Sequence, residues 1–237
     1  MIKIIAQNIF LSTRICGSIL PMKAIKAVIF DMDGVLLDTE TICDRTWKIA
    51  GSELGLEDVN DIINACRGCN KNDTRIILKK KYGKEFDAKS FMDRTSILFH
   101  EIEIREGIPV MKGAVHAIEY LAQAGYRLAL ASSTHGITVR RQMENTGLLK
   151  WFETITTGDM VEHSKPDPEI YTLACSSLCL TPEQCAAIED SPNGIHSAYN
   201  AGLKCIMIPD KIAPTDEIKH MLWKLCTSLD QIPLIFP

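Results

Sequence analysis

The chain is short of net charge, of unbroken apolar segments and of paired cysteines, and each shortage removes a class of function. Over 237 residues, 26 lysines and arginines face 30 aspartates and glutamates, a net charge of −4. That balance argues against nucleic acid or an anionic membrane as the main partner. Nine cysteines are scattered through apolar contexts, which suits reduced thiols serving as small core residues in a cytoplasmic protein. Cys66 and Cys69 form the one tight pair, and no second pair stands at zinc-ligand spacing. Acid is missing from the beginning of the chain, where Asp31 is the first carboxylate. Residues 1–20 are largely apolar with Lys3 and Arg14, but Gln7, Asn8, Ser12 and Thr13 interrupt them. They lack the unbroken core of a secretory signal and the length of a membrane span. Residues 1–22 are read as a dispensable extension. Internal repeats and low-complexity segments are absent as well.

Against this background one stretch carries chemistry. Ala27-Val28-Ile29-Phe30 runs straight into Asp31, and Asp33 and Gly34 follow. So short and apolar a run reads as a strand buried on both faces, as in parallel sheets. Asp31 then sits at the strand's carboxyl end, where open α/β sheets bind ligands. Gly34 lets the chain turn away, and two carboxylates face one site from a single turn.

From Asp38 to about Glu106 the pattern is helical. Asp38 or Thr39 caps a helix reaching Leu54, with Ile42, Trp47, Ile49 and Ala50 as its apolar positions. Asn72-Asp73-Thr74 opens a second helix that ends at Tyr82-Gly83. A third runs from about Ala88 to Ile104 on Phe91, Ile97, Leu98 and Ile102. With no strand among them, residues 38–107 are expected to form a helical cap inserted into a core made of 23–37 and 108–237. In that core, helices alternate with buried strands at Arg127–Ala131, near Phe152–Thr156, at Gln184–Ile188 and at Leu203–Ile208. The alternation predicts an α/β fold, a Rossmann-like parallel sheet with helices on both faces.

A parallel sheet brings the ends of its strands to one edge. Asp31, Asp33, Ser132, Glu189 and Asp190 are therefore expected to converge, and Lys165 joins them from the start of its own helix. Crowded carboxylates need a hard cation among them, and such oxygen ligands suit Mg²⁺. A lysine, a hydroxyl and loop N–H groups complement phosphate oxygens. His135 follows closely enough to touch a phosphate. His163 and His196 receive no chemistry. Trp47, Tyr171 and Trp223 are assigned to packing, and Lys79-Lys80-Lys81 to a solvated helix face.

These residues resemble the haloacid dehalogenase superfamily of phosphotransferases over residues 24–209. Asp31-Met32-Asp33-Gly34-Val35 is similar to its first motif, Ser132 to its second, Lys165-Pro166 to its third and Glu189-Asp190-Ser191 to its fourth. The helical insertion resembles the cap of the β-phosphoglucomutase-like phosphatases. The resemblance implies Asp31 as nucleophile, Asp33 as general acid and then base, and Ser132 and Lys165 as groups that orient the transferring oxygens. It implies Mg²⁺ held by the Asp31 and Asp190 carboxylates and the Asp33 backbone carbonyl, with Glu189 in support. The expected activity is Mg²⁺-dependent hydrolysis of a small phosphomonoester metabolite by a cytoplasmic monomer, with neither nucleic acid nor membrane as partner. The alternative is a β-phosphoglucomutase-type phosphomutase. Those enzymes carry a histidine where this chain aligns Cys43, and an arginine where it aligns Lys71, although Arg67 or Arg75 offers a substitute.

Overall fold

In a computed structural model describing residues 25–67, 69 and 71–236, strand β1 (Ala27–Phe30) is buried along its whole length. It pairs in parallel with β2 (Arg127–Ser132) on one side and β4 (Cys185–Glu189) on the other. Beyond β2 lies β3 (Thr154–Thr157), and beyond β4 lie β5 (Lys204–Met207) and β6 (Leu222–Leu225). The order is β3-β2-β1-β4-β5-β6, parallel throughout.

Alternate residues of these strands feed two cores, because successive side chains point to opposite faces. Val28, Phe30, Leu130 and Ile188 pack with α5 (Ala114–Gln123) and α6 (Gly136–Asn145). Ile29, Ala129, Ala187 and Met207 pack with α7 (Glu169–Ser177), α8 (Pro192–Asn200) and α9 (Asp216–Met221). The expected doubly covered parallel sheet is what the chain forms. The pair α9 and β6 carries no signal that the sequence reading used: Leu222–Leu225 is a half-buried edge strand without an apolar run.

Five helices intervene between β1 and β2, and the first four precede the return to the core: α1 (Thr39–Glu53), α2 (Val59–Cys66), α3 (Lys71–Tyr82) and α4 (Ala88–Glu106). They share a cluster of their own built on Ala50, Ile62, Leu78, Phe91 and Leu98. Asp38 caps α1, its carboxylate accepting from Thr41 N at 3.1 Å. Helix α2 is additional to the three expected. Its N-cap Asp58 is left-handed and makes no side-chain cap bond, so the usual start signal is missing. Two of the apolar positions named for these helices face outward: Ile97 is 53% exposed and Ile49 39%. Each directly precedes a buried residue, Leu98 or Ala50, and the 100° step of a helix turns it outward. The extension expected over residues 1–22 lies outside the described residues. Among those described, no helix is long and apolar enough to cross a membrane.

Candidate active site

The register sets Phe30 level with Leu130 and Ile188, so the residues that follow meet at one edge. Asp31 leaves β1, Ser132 ends β2, Glu189 ends β4 and Asp190 follows it. Lys165 reaches the same edge from the loop ahead of α7, four residues before the helix begins, and not from the helix itself. Its Nζ donates to Asp31 Oδ1 at 2.6 Å, to Glu189 Oε1 at 2.6 Å and to the Ala131 carbonyl at 3.0 Å. All three ammonium protons are therefore taken. The lysine side chain is 8% exposed and that of Glu189 0%. Tyr171, assigned to packing, does more: its hydroxyl donates to Glu189 Oε1 at 2.6 Å, and its ring centre lies 5.1 Å from Lys165 Nζ.

Asp33 is fixed from the second strand. Its Oδ2 accepts from Thr134 Oγ1 at 3.0 Å and from Ser132 Oγ at 3.3 Å, and Ser132 Oγ accepts from Thr134 N at 3.1 Å. Thr134 had no sequence signal beyond its place in a small polar cluster. His135 is 77% exposed, with Nδ1 3.7 Å from Asp159 Oδ2. His163 Nδ1 lies 3.2 Å from Glu169 Oε2 on the outer side of the Lys165 loop.

Two glycines make room for the carboxylates. Gly34 has φ +76°, and a Cβ there would lie 2.5 Å from Asp190 Oδ2. At Gly194, in the first turn of α8, a Cβ would stand 2.0 Å from the Glu189 carboxylate carbon. Ser191 caps that helix, its Oγ accepting from Gly194 N at 3.1 Å. Gly194→Ala is therefore expected to push Glu189 off Lys165 or α8 off the sheet, at about 1–3 kcal/mol of stability. Denaturant unfolding measures this, and wild-type stability would show that the helix yields freely.

One ammonium faces three carboxylates. Burial pushes the Asp31 carboxyl up to about 8, against the pull of Lys165 and with the charges of Glu189 and Asp33 adding to it. Burial, then Glu189 and Asp31, push Asp190 up to about 9. Burial works against the Lys165 ammonium, yet Asp31 and Glu189 outweigh it and hold the lysine above its ordinary value. Carboxylate oxygens of Asp31, Glu189 and Asp190 lie within 4.8 Å of one another. A buried, net-negative set of hard oxygen donors fits a divalent cation. Glu189 Oε1 is occupied by Lys165 and Tyr171, which leaves Asp31 and Asp190 the freer donors.

Above Asp33 the helical insertion contributes an ion cluster. Arg67, 13% exposed, donates to Glu40 Oε2 at 2.9 Å and to the two Asp44 oxygens at 2.8 and 3.0 Å. Its Nε donates to Asn64 Oδ1 at 3.2 Å. Burial pushes the nearby Cys43 thiol up to about 12. Lys71 and Arg75 are exposed on α3.

Residues 28–208 match the family described as haloacid dehalogenase-like hydrolase. YhcW of Bacillus subtilis is 34% identical, over 81% of this chain and 86% of its own length. A phosphorylated carbohydrates phosphatase of Thermotoga maritima is 32% identical, covering 76% of this chain and 83% of its own. The crystal structure of CbbY from Rhodobacter sphaeroides in complex with phosphate superposes with a TM-score of 0.71 at 28% identity, over 88% of this chain and 96% of CbbY.

Proposed function

The chain belongs to the haloacid dehalogenase-like hydrolase family and is a phosphoric monoester hydrolase within it, and we propose that it hydrolyses small phosphorylated carbohydrates through an aspartyl-phosphate, with Mg²⁺. The observation that carries this reading is the grip of Lys165 on Asp31 Oδ1 at 2.6 Å, with Asp33 held beside it by Ser132 and Thr134. Lysine fixes one oxygen of the Asp31 carboxylate, and the other attacks phosphorus. The bond from phosphorus to the leaving oxygen breaks as Asp33 delivers a proton to that oxygen. Asp33, now ionised, then takes a proton from the water that splits the acyl phosphate and releases inorganic phosphate. Ser132 and Lys165 offer donors to the phosphoryl oxygens during both transfers. Asp31, Asp190 and the Asp33 backbone carbonyl would hold Mg²⁺, with Glu189 and Tyr171 keeping Lys165 in place from behind. A cation held there would supply neutralisation of charge on the transferring group.

Residues 38–107 serve as the cap over this site, and residues 23–37 with 108–237 as its catalytic core. The free thiols of the described cysteines are in keeping with a reducing cytoplasm. Carbohydrate substrates are supported by the names of the relatives, among them hexitol phosphatase A of Escherichia coli at 28% identity. The mutase reading is the weaker one. A half-buried thiol pushed up to about 12 does not replace a histidine, and the Arg67 guanidinium is already shared between Glu40 and Asp44. Phosphate release from a panel of sugar and polyol monophosphates, with Mg²⁺ and with EDTA, tests the proposal. Conversion of β-glucose 1-phosphate to glucose 6-phosphate faster than phosphate release, given a trace of the 1,6-bisphosphate, would overturn it.

The metal carries its own prediction. Asp31 and Asp190 are raised from 3.8 to about 8 and about 9. Each is a raised group, so the stability it lends is full below the unfolded value and is lost as pH rises through the folded one. Metal-free protein should therefore melt at progressively lower temperature between about pH 6 and pH 9. Mg²⁺ should raise the melting temperature more at pH 8 than at pH 6, and equal shifts at both would refute this placement of the cation.

A further inference from the structure

Lys165 has more acceptors to serve than N–H groups to serve them with. In the mechanism above it donates to the transferring phosphoryl oxygens. Its three N–H groups already go to Asp31 Oδ1 at 2.6 Å, Glu189 Oε1 at 2.6 Å and the Ala131 carbonyl at 3.0 Å. One of those bonds therefore opens while a phosphoryl group is transferred. The bond to Asp31 orients the nucleophile and stays. Glu189 Oε1 carries a second donor of its own, the Tyr171 hydroxyl at 2.6 Å, so it gives up the lysine at the lower cost.

The surroundings of Glu189 make that second donor necessary. Its side chain is 0% exposed, so no solvent stands ready to replace a lost partner. Its carboxylate lies against the first turn of α8, where a Cβ on Gly194 would stand 2.0 Å from Oε2 and 2.2 Å from Oε1. Packed that closely, the carboxylate stays where it is when the ammonium moves. A buried carboxylate oxygen without a donor carries its full desolvation cost. Tyr171, itself 0% exposed on α7, prevents this. Its hydroxyl remains on Oε1, and its ring, centred 5.1 Å from Lys165 Nζ, attracts the cation from the same side.

We propose that Tyr171 is a positioning residue whose hydroxyl keeps Glu189 Oε1 paired while Lys165 turns one N–H from Glu189 to the transferring phosphoryl group. No covalent bond changes in this step; the N–H exchanges one acceptor for another. This inference rests on the phosphatase reading and deepens it, adding a group that acts through Lys165 and Glu189 and touches neither the substrate nor the cation.

Y171F tests it, since phenylalanine keeps the ring and removes only the hydroxyl. With Mg²⁺ present, kcat and KM for p-nitrophenyl phosphate are measured beside the calorimetric Kd values of orthovanadate and inorganic phosphate. Vanadate adopts the five-coordinate shape of the transfer and phosphate stays tetrahedral, so the ratio of their Kd values reads contacts made in the transition state. A ratio within one variant is unaffected by the fraction of protein that is folded. In Y171F kcat should fall about tenfold with KM within about twofold, and vanadate should lose about tenfold in affinity relative to phosphate. In an E189Q background, where a neutral amide oxygen makes a weaker claim on the ammonium, adding Y171F should move the ratio by less than about twofold. A Kd ratio in Y171F equal to that of wild type, or the same loss with E189Q as without it, would overturn the inference alone. No turnover of p-nitrophenyl phosphate or of any sugar phosphate by the wild type would overturn the phosphatase reading, and the inference with it.

Discussion

Asp31→Asn is expected to lower phosphate release by at least about a thousandfold while the protein remains folded. The amide has the shape of the carboxylate but is no nucleophile at phosphorus, so the first transfer cannot begin. The fold has no need of the charge. Asp31 is a buried acid whose carboxyl is pushed up to about 8 by burial, with Glu189 and Asp33 adding repulsion. Removing that charge leaves Lys165 with Glu189 and the Ala131 carbonyl as partners, so the metal-free variant should melt no lower than the wild type. Turnover and melting temperature measured side by side separate the two effects. Activity above a thousandth of wild type would remove Asp31 from the role of nucleophile.

Lys165→Ala has the opposite signature, because it damages the fold and the chemistry together. The ammonium bridges Asp31 and Glu189 at 2.6 Å each with its side chain only 8% exposed. Removing one partner of a buried ion pair leaves an uncompensated charge and costs about 3–5 kcal/mol. Here two carboxylates lose the same donor, so the upper part of that range applies. Turnover should fall by about a thousandfold, since Asp31 loses its orientation and the transferring oxygens lose a cation. Arginine should not rescue it: a planar guanidinium does not fit a pocket shaped for three donors on one nitrogen. Denaturant unfolding with wild-type stability would refute the structural half of this account.

The strand-end residues were legible in the sequence because each follows a short apolar run, and a parallel sheet leaves such ends nowhere else to go. Asp31, Ser132, Glu189 and Asp190 meet for that reason, and the order of the motifs carried the resemblance. Lys165 was legible as a residue but not as a position, since the Pro-Asp-Pro that follows it reads as a helix start one turn early. Tyr171 and Thr134 escaped because their partners are tertiary. The tyrosine bonds a glutamate 18 residues ahead, and the threonine an aspartate 101 residues back. No local pattern announces such a pairing. Helix α2 lacked a capping signal, and β6 lacked an apolar run.

The strand order also has a consequence for the ribosome. β1 leaves the exit tunnel well before its neighbours, β2, which starts at Arg127, and β4, which starts at Cys185. Until both are synthesised, Ala27–Phe30 is an apolar strand with open edges, the kind that recruits other chains. Helices α1 to α4 have a hydrophobic cluster of their own, so during translation they can close around themselves and keep their apolar faces away from that strand. Asp31 meets Lys165 and Glu189 only after Glu189, far downstream of β1 in the chain, has been made. The nascent protein is thereby kept inert toward phosphoesters until its central strand is protected on both sides.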